Sequence, residues 1–259
     1  MSNLITSPNG PHPRTREERW QLVHTLAERA RAKHGDDLLA VGVYGSLARE
    51  TDGPYSDTEM MCVLRGEGID YSADWTTGPW KAEVNFFSAD VVRAGAAELE
   101  EDWSLTQGVF AFMHPLYDPA QFFATLPPLV FGHSQAEFNT IMKLHIVGEV
   151  YEAMGKLRNA QHNSYPAFMP RLAFMLAGYG ANLIGLLHRR LYTSAAAMLD
   201  EALAMPNVPE GYNHLCQLVQ RGELHNPDQT HQTCESFWQG LLTWAAQHGI
   251  DWVSETNPF

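Results

Sequence analysis

Apolar and polar positions follow two regimes along this chain. The first half mixes short apolar runs and period-two alternation with one amphipathic stretch; the second half repeats apolar residues at helical spacing. Trp20, Val23, Ala27 and Ala30 recur at that spacing after Thr15-Arg16-Glu17-Glu18, a capping-box pattern, and Gly35 marks the expected stop. Residues 38–44 are a continuous apolar run ending at Gly45-Ser46, which predicts a buried strand opening onto a tight turn. A second strand is predicted from Asp57 to Leu64. Side chains two apart on a strand share a face, so Asp57 and Glu59 project together. Residues 65–79 are polar and turn-rich and predict a loop. From Trp80 the pattern alternates cleanly: Trp80, Ala82, Val84 and Phe86 take one face, and Lys81, Glu83 and Asn85 the other. Ser88 is the expected cap of a helix reaching about residue 98, and residues 114–118 read as a last short strand or turn.

Pro127-Pro128 marks the change of regime, which places a boundary between domains 1–127 and 128–259. Ser134-Gln135-Ala136-Glu137 is a second capping box, opening a helix to about residue 159. On it His145, Glu149, Glu152 and Lys156 fall at i, i+4, i+7 and i+11, one polar stripe that the pattern alone describes as an ordinary exposed face. Residues 171–192 are apolar nearly all round, with small residues interleaved, which predicts the central helix of a bundle. Further helices are expected over about 194–205, 210–220 and 228–247.

Charge narrows the function classes. Among 259 residues, 30 are acidic and 17 basic, a formal net charge of −13. Such a chain lacks the basic footprint of a nucleic-acid binder and attracts polycations. No apolar run reaches the ~18 residues that a membrane span needs, and residues 1–13 show no apolar core of a signal peptide. Cys62, Cys216 and Cys234 are scattered, with no zinc spacing; they read as reduced thiols of a cytoplasmic protein.

The candidate chemistry lies around the Gly-Ser turn. Gly45 lets backbone approach closely, and exposed amides with the Ser46 hydroxyl suit phosphate oxygens. Asp57 and Glu59 suit a hard divalent cation. A short helix after the turn would aim its N-terminus at an anion and place Arg49 to reach a phosphate. If the Trp80–Phe86 strand lies beside the acidic one, Glu83 becomes a third carboxylate, with Lys81 countering one of them or touching substrate. The plainer readings are a solvated acidic face, a surface arginine and an edge-strand glutamate. Glu98, Glu100, Glu101 and Asp102 form an acid-dense stretch, either a solvated loop or a rim for ammonium groups.

The strand, Gly-Ser turn and Asp-x-Glu strand resemble the signature of polymerase-β-like nucleotidyltransferases. At full length, VGVYGSLARETDGPYSDTEMMCVL (41–64), TTGPWKAEVNF (76–86), TREERW (15–20) and GYNHLCQLV (211–219) resemble the kanamycin nucleotidyltransferase family, the aminoglycoside 4′-O-nucleotidyltransferases. The resemblance implies an α+β fold, with an N-terminal mixed β-sheet flanked by helices and a C-terminal α-helical bundle. It also implies a homodimer whose active-site cleft both subunits line, and transfer of AMP from MgATP to an antibiotic hydroxyl with release of pyrophosphate. Asp57 and Glu59 would then bind Mg²⁺ with Glu83 as the third acid, and Gly45, Ser46 and Arg49 would hold the nucleotide phosphates. Glu152 matches the general base and Lys156 the lysine that contacts phosphate or hydroxyl. Glu83, Lys81, Asp102 and Glu149 would meet the cationic antibiotic. Two departures stand out: Gly148-Glu149 replaces a glutamate pair, removing one carboxylate, and Ala48 replaces a glycine. The competing readings are a nucleotidyltransferase acting on a protein or RNA end, and a non-catalytic nucleotide-binding or toxin-neutralising module.

Overall fold

The computed structural model describes residues 10–76 and 81–253. Trp80 and the last residues of the C-terminal tail lie outside them. Helix α1 (Arg16–His34) starts at the Thr15 capping box, where Thr15 and Glu18 satisfy each other's backbone, and ends at Gly35 with φ 52°. Strand β1 (Leu38–Val43) follows, then the four-residue helix α2 (Gly45–Ala48) and β2 (Thr58–Leu64). Next come β3 (Asp70–Thr76), β4 (Lys81–Ser88), α3 (Ala89–Ala96), α4 (Trp103–Thr106), α5 (Gly108–Ala111), β5 (His114–Tyr117) and α6 (Pro127–Val130).

The sheet runs β3-β4-β2-β1-β5. It is mixed: β2 and β4 are parallel, and every other pair is antiparallel. β1 sits inside and is buried nearly throughout. Val23, Ala27 and Ala30 of α1 pack with Val41, Val43, Met60 and Cys62. At Gly42 an added Cβ would meet the Met113 sulfur at 2.5 Å and Phe123 at 3.0 Å, so the glycine is needed for close packing.

Two expectations fail in this half. Residues 70–76, read as loop, form the edge strand β3. Tyr71, Ala73 and Trp75 alternate with Asp70, Ser72 and Asp74 and pair with Phe86, Val84 and Ala82 of β4, with Tyr71 stacked on Phe86 at 4.8 Å; this short period-two pattern is masked by the polar residues before it. Ser88 stands at the start of α3 but its side chain does not cap it; the hydroxyl accepts a hydrogen bond from the Ile69 backbone instead.

The rest is helical: α7 (Gln135–His145), α8 (Tyr151–His162), α9 (Met169–His188), α10 (Met198–Leu203), α11 (Tyr212–Gln220) and α12 (Pro227–Gln247). The Ser134 capping box opens α7. The predicted single helix over 134–159 is interrupted by a π-helical turn, Ile146–Val150, and α10 is shorter than the stretch expected. α9 is the central helix, touching α7, α8, α10, α11 and α12. Gly180 lets Tyr212 and Phe237 approach, and the Tyr192 and Tyr212 hydroxyls donate to the Ala181 and Ala177 carbonyls at 2.6 and 2.9 Å. These contacts explain why small residues interleave the apolar ones in α9.

The chain forms two compact units, Met1–Glu98 with Thr106–Gly132, and Leu99–Leu105 with His133–Phe259. The acidic residues 100–102 thus pack with the helical unit, through Trp103 against Phe138 and Ser104 against Gly185. Among the described residues no helix is long and apolar enough to cross a membrane.

Candidate active site

β2 and β4 run side by side in register, and that register assembles the acidic cluster of the first unit. Glu59 pairs with Glu83, and Asp57 precedes Thr58, the partner of Ala82. Lys81 reaches across to Asp57 at 3.8 Å and to Glu83 on its own strand at 3.1 Å. Tyr44, at the end of β1, donates to Glu83 at 3.3 Å and accepts from Asn85 at 2.6 Å, while Asn85 also donates to Glu83 at 2.8 Å. Tyr44 was not singled out in the sequence; Asn85 was visible there as a neighbour of Glu83 on one strand face.

The two glutamates are driven in opposite directions. Glu59 is pushed up to about 7, first by burial, then by the charges of Asp57 and Glu83, with Lys81 opposing. Glu83 is held below the ordinary carboxylate range by the Asn85 amide, with Lys81 and Tyr44 adding to that effect against burial. Burial and the neighbouring Glu83 and Glu59 raise the Tyr44 phenol. A carboxyl raised by the negative charge of its neighbours is a carboxyl that gains from a cation.

Gly45 explains how close the acid comes to the turn. Its φ is 69°, and an added Cβ would meet Glu59 Oε2 at 1.8 Å. The Glu59 carboxylate therefore lies directly against the Gly45 backbone. Ser46 begins α2 with Gly45, and its carbonyl accepts from the Thr51 backbone at 3.0 Å. Arg49 ends α2 with its guanidinium 4.5 Å above the Phe112 ring. The loop to β2 is clamped to α1. Asp52 accepts from Arg16 at 2.6 Å and forms a buried pair with Arg19, which also bonds the Arg14 and Pro54 carbonyls. This clamp, unseen in the sequence, fixes the path between Ser46 and Asp57.

Among the described residues no three His, Cys, Asp or Glu side chains form a ready-made metal cage. The donor set still fits a hard divalent cation. Mg²⁺ is commonly held by one or two carboxylates, with substrate phosphates and water completing its shell. Asp57 and Glu59 would hold it, and the negative charges of Asp57 and Glu83 that add to burial in raising Glu59 would favour a cation there.

In the helical unit Glu152 and Lys156 lie on α8, exposed, paired at 2.6 Å. Glu149 lies on the π turn, exposed, and hydrogen-bonds Tyr179, whose phenol is raised first by burial and then by Glu149 and Glu152. His145 departs from the expected stripe. It is 2% exposed, because the helix is already turned inward where it meets the wider π turn. Asp102 lies in the short segment that packs into this unit. The structure thus groups Gly45, Asp57, Glu59, Lys81 and Glu83 in one unit, and Glu149, Glu152 and Lys156 along one helical run in the other.

The chain is similar to known proteins along nearly its whole length. Residues 120–251 match the family profile of the KNTase C-terminal domain. The chain is 43% identical over 253 residues to an aminoglycoside nucleotidyltransferase (4′) from Bacillus sp, and equally to one from Staphylococcus aureus. Each alignment covers 97% of this chain and 100% of the relative. A nucleotidyltransferase-like protein from Exiguobacterium sibiricum 255-15 shares the fold with a TM-score of 0.53 at 9% identity, over 91% of this chain and 77% of its own. Identity at this level along nearly the whole length places the chain in the aminoglycoside nucleotidyltransferase (4′) family of enzymes.

Proposed function

We propose that this enzyme transfers AMP from ATP to the 4′-hydroxyl of kanamycin-, tobramycin- and amikacin-type aminoglycosides, releasing pyrophosphate and conferring resistance to them. The observation that carries the reading is the Glu59 carboxyl lying against the Gly45 backbone, raised to about 7 by burial and by Asp57 and Glu83. Acids that gain from a cation, set against a turn whose amides suit phosphate, form a receptor for a metal nucleotide.

Asp57 and Glu59 hold Mg²⁺, and Glu83 is the third acid of that cluster. When bound, the ion supplies charge neutralisation for the phosphate oxygens. Gly45, Ser46 and Arg49 bind and orient the nucleotide phosphates. The substrate hydroxyl oxygen forms a bond to the α-phosphorus while the bridging bond to the β-phosphate breaks, its electron pair leaving with pyrophosphate. Glu152 takes the hydroxyl proton, and Lys156, one turn on, steadies negative charge on the α-phosphate. The Glu152–Lys156 pair is exposed, and such pairs are worth only ~0.3–0.5 kcal/mol, so substrate exchanges with it at little cost. Glu83, Lys81, Asp102 and Glu149 set the antibiotic through charge-assisted hydrogen bonds, which fix the hydroxyl that faces the base. Residues 1–127 serve as the nucleotidyltransferase domain and 128–259 as the helical domain. The working form is a cytoplasmic homodimer whose cleft both subunits line.

Incubation with ATP, Mg²⁺ and kanamycin tests this directly. Pyrophosphate release and a mass gain of one AMP are expected, with NMR of the product locating the group at the 4′ position. No mass gain with any aminoglycoside, or addition elsewhere, overturns it.

A further inference from the structure

Among the described residues, the helical unit buries one histidine, and the transfer reaction has no use for it. His145 ends α7 at 2% exposure, where the helix passes into the π turn Ile146–Val150. Such wide turns recur at functional sites. Neither ring nitrogen has a hydrogen-bond partner. The Tyr179 ring meets it edge-on, with centroids 5.1 Å apart and planes at 90°. The Tyr179 main chain approaches closely enough to favour a proton on the ring, without reaching hydrogen-bond geometry. A buried polar group left without a partner is costly, and native structures rarely keep one.

The groups around this ring are mostly acidic. Glu149 faces it from the π turn, Glu101 and Asp102 from the segment Leu99–Leu105, and Tyr179 from α9. All three carboxylates favour the protonated imidazole; burial opposes them and outweighs them, so the ring is held below its ordinary value. Tyr179 hydrogen-bonds Glu149 and feels the charge of Glu152. The histidine therefore sits behind the acidic face on which Glu149 and Asp102 are read as antibiotic contacts.

We propose that His145 sets the affinity of this face for cationic substrate. Neutral, it leaves the charge of Glu149, Glu101 and Asp102 to act on substrate ammonium groups; protonated, it becomes their internal counter-cation and competes with the antibiotic. A 2%-exposed ring is out of reach of the antibiotic, so it acts on substrate only through its neighbours. The proposal makes His145 a positioning residue that acts through its neighbours, and it rests on the assignment of Glu149 and Asp102 as ammonium contacts. Linkage is reciprocal, so a bound antibiotic must make His145 harder to protonate by the same factor.

The test measures KM for kanamycin and kcat from pH 5.5 to 8.0, at saturating MgATP, for the wild-type enzyme, His145→Gln and His145→Leu. As pH falls, the wild-type KM is expected to rise about fivefold or more relative to both variants, a coupling of ordinary size, with the kcat ratio constant. Parallel KM profiles, or an effect on kcat and thermal stability alone, overturn the proposal. Should both variants misfold, NMR titration of the His145 ring in the wild-type protein, with and without kanamycin and with no nucleotide, decides. A lower midpoint with kanamycin supports the proposal, and an unchanged one overturns it. If wild-type transfer is present but Glu149→Gln and Asp102→Asn leave the kanamycin KM unchanged, the ammonium-contact assignment fails, and the proposal falls with it; an altered KM there with parallel His145 profiles sinks the proposal alone.

Discussion

Each compact unit sets glutamates beside a lysine, and it holds them differently. At the end of β2, Glu59 is half-buried, lies against the Gly45 backbone and is raised to about 7 by burial and two neighbouring carboxylates. On α8, Glu152 and Lys156 stand exposed and paired at 2.6 Å, one helical turn apart. The first group is tuned by the fold before any substrate arrives. The second is a preformed pair that water screens and that a substrate can open. Strand register assembles the acid cluster, and helical periodicity sets Glu152 one turn from Lys156. The two sites should therefore respond differently to substitution, to pH and to metal.

The largest contrast comes from Asp57→Asn, which is expected to abolish metal-dependent transfer at every Mg²⁺ concentration in steady-state kinetics. Recovery of normal rates at high Mg²⁺ would remove Asp57 from the metal site. Glu152→Gln should lower kcat by roughly 10²-fold or more, and a thermal melt should stay nearly unchanged because the lost pair is exposed. Near-normal turnover in that variant would dismiss Glu152 as the base. Gly45→Ala should destabilise the first unit by about 1–3 kcal/mol in urea titration, because a Cβ at φ 69° meets the Glu59 carboxylate; an unchanged midpoint would deny the contact.

The smallest effect is on pH. Glu59 has a raised proton affinity, so below about 7 it carries a proton that a metal must displace. Apparent Mg²⁺ affinity should then fall as pH drops through 7, by up to about tenfold per unit, as followed by calorimetry. Without metal the sign reverses for stability. Between the ordinary 4.5 and about 7 the native chain holds the extra proton, so this group lowers stability as pH rises through that window. Glu59→Gln should flatten both trends, and Glu152→Gln neither.

Much of both units was legible because their signals are local. Thr15 with Glu18 and Ser134 with Glu137 announce helix starts within four residues, and both capping boxes are present. The alternation through Lys81, Glu83 and Asn85 put three polar side chains on one face, and hydrogen bonds now link them. What escaped was long-range or polar. β3 is a short alternating run inside a polar, turn-rich stretch, and its pairing with β4 is what fixes it as a strand. The π turn adds a residue to the hydrogen-bond register without disturbing the apolar pattern, so His145 seemed exposed and is buried. The Arg19–Asp52 clamp joins residues 33 apart, beyond any periodicity.

The margins of the sheet carry a last consequence. One border is β3, with the exposed acids Asp70 and Asp74; the other is the four-residue β5, interrupted by Pro115, which has no amide hydrogen to offer. A stray extended peptide thus meets like charge on one side and a missing donor on the other, the usual defences against runaway stacking into fibrils. The protein should stay dispersed at high concentration without a chaperone guarding its flanks.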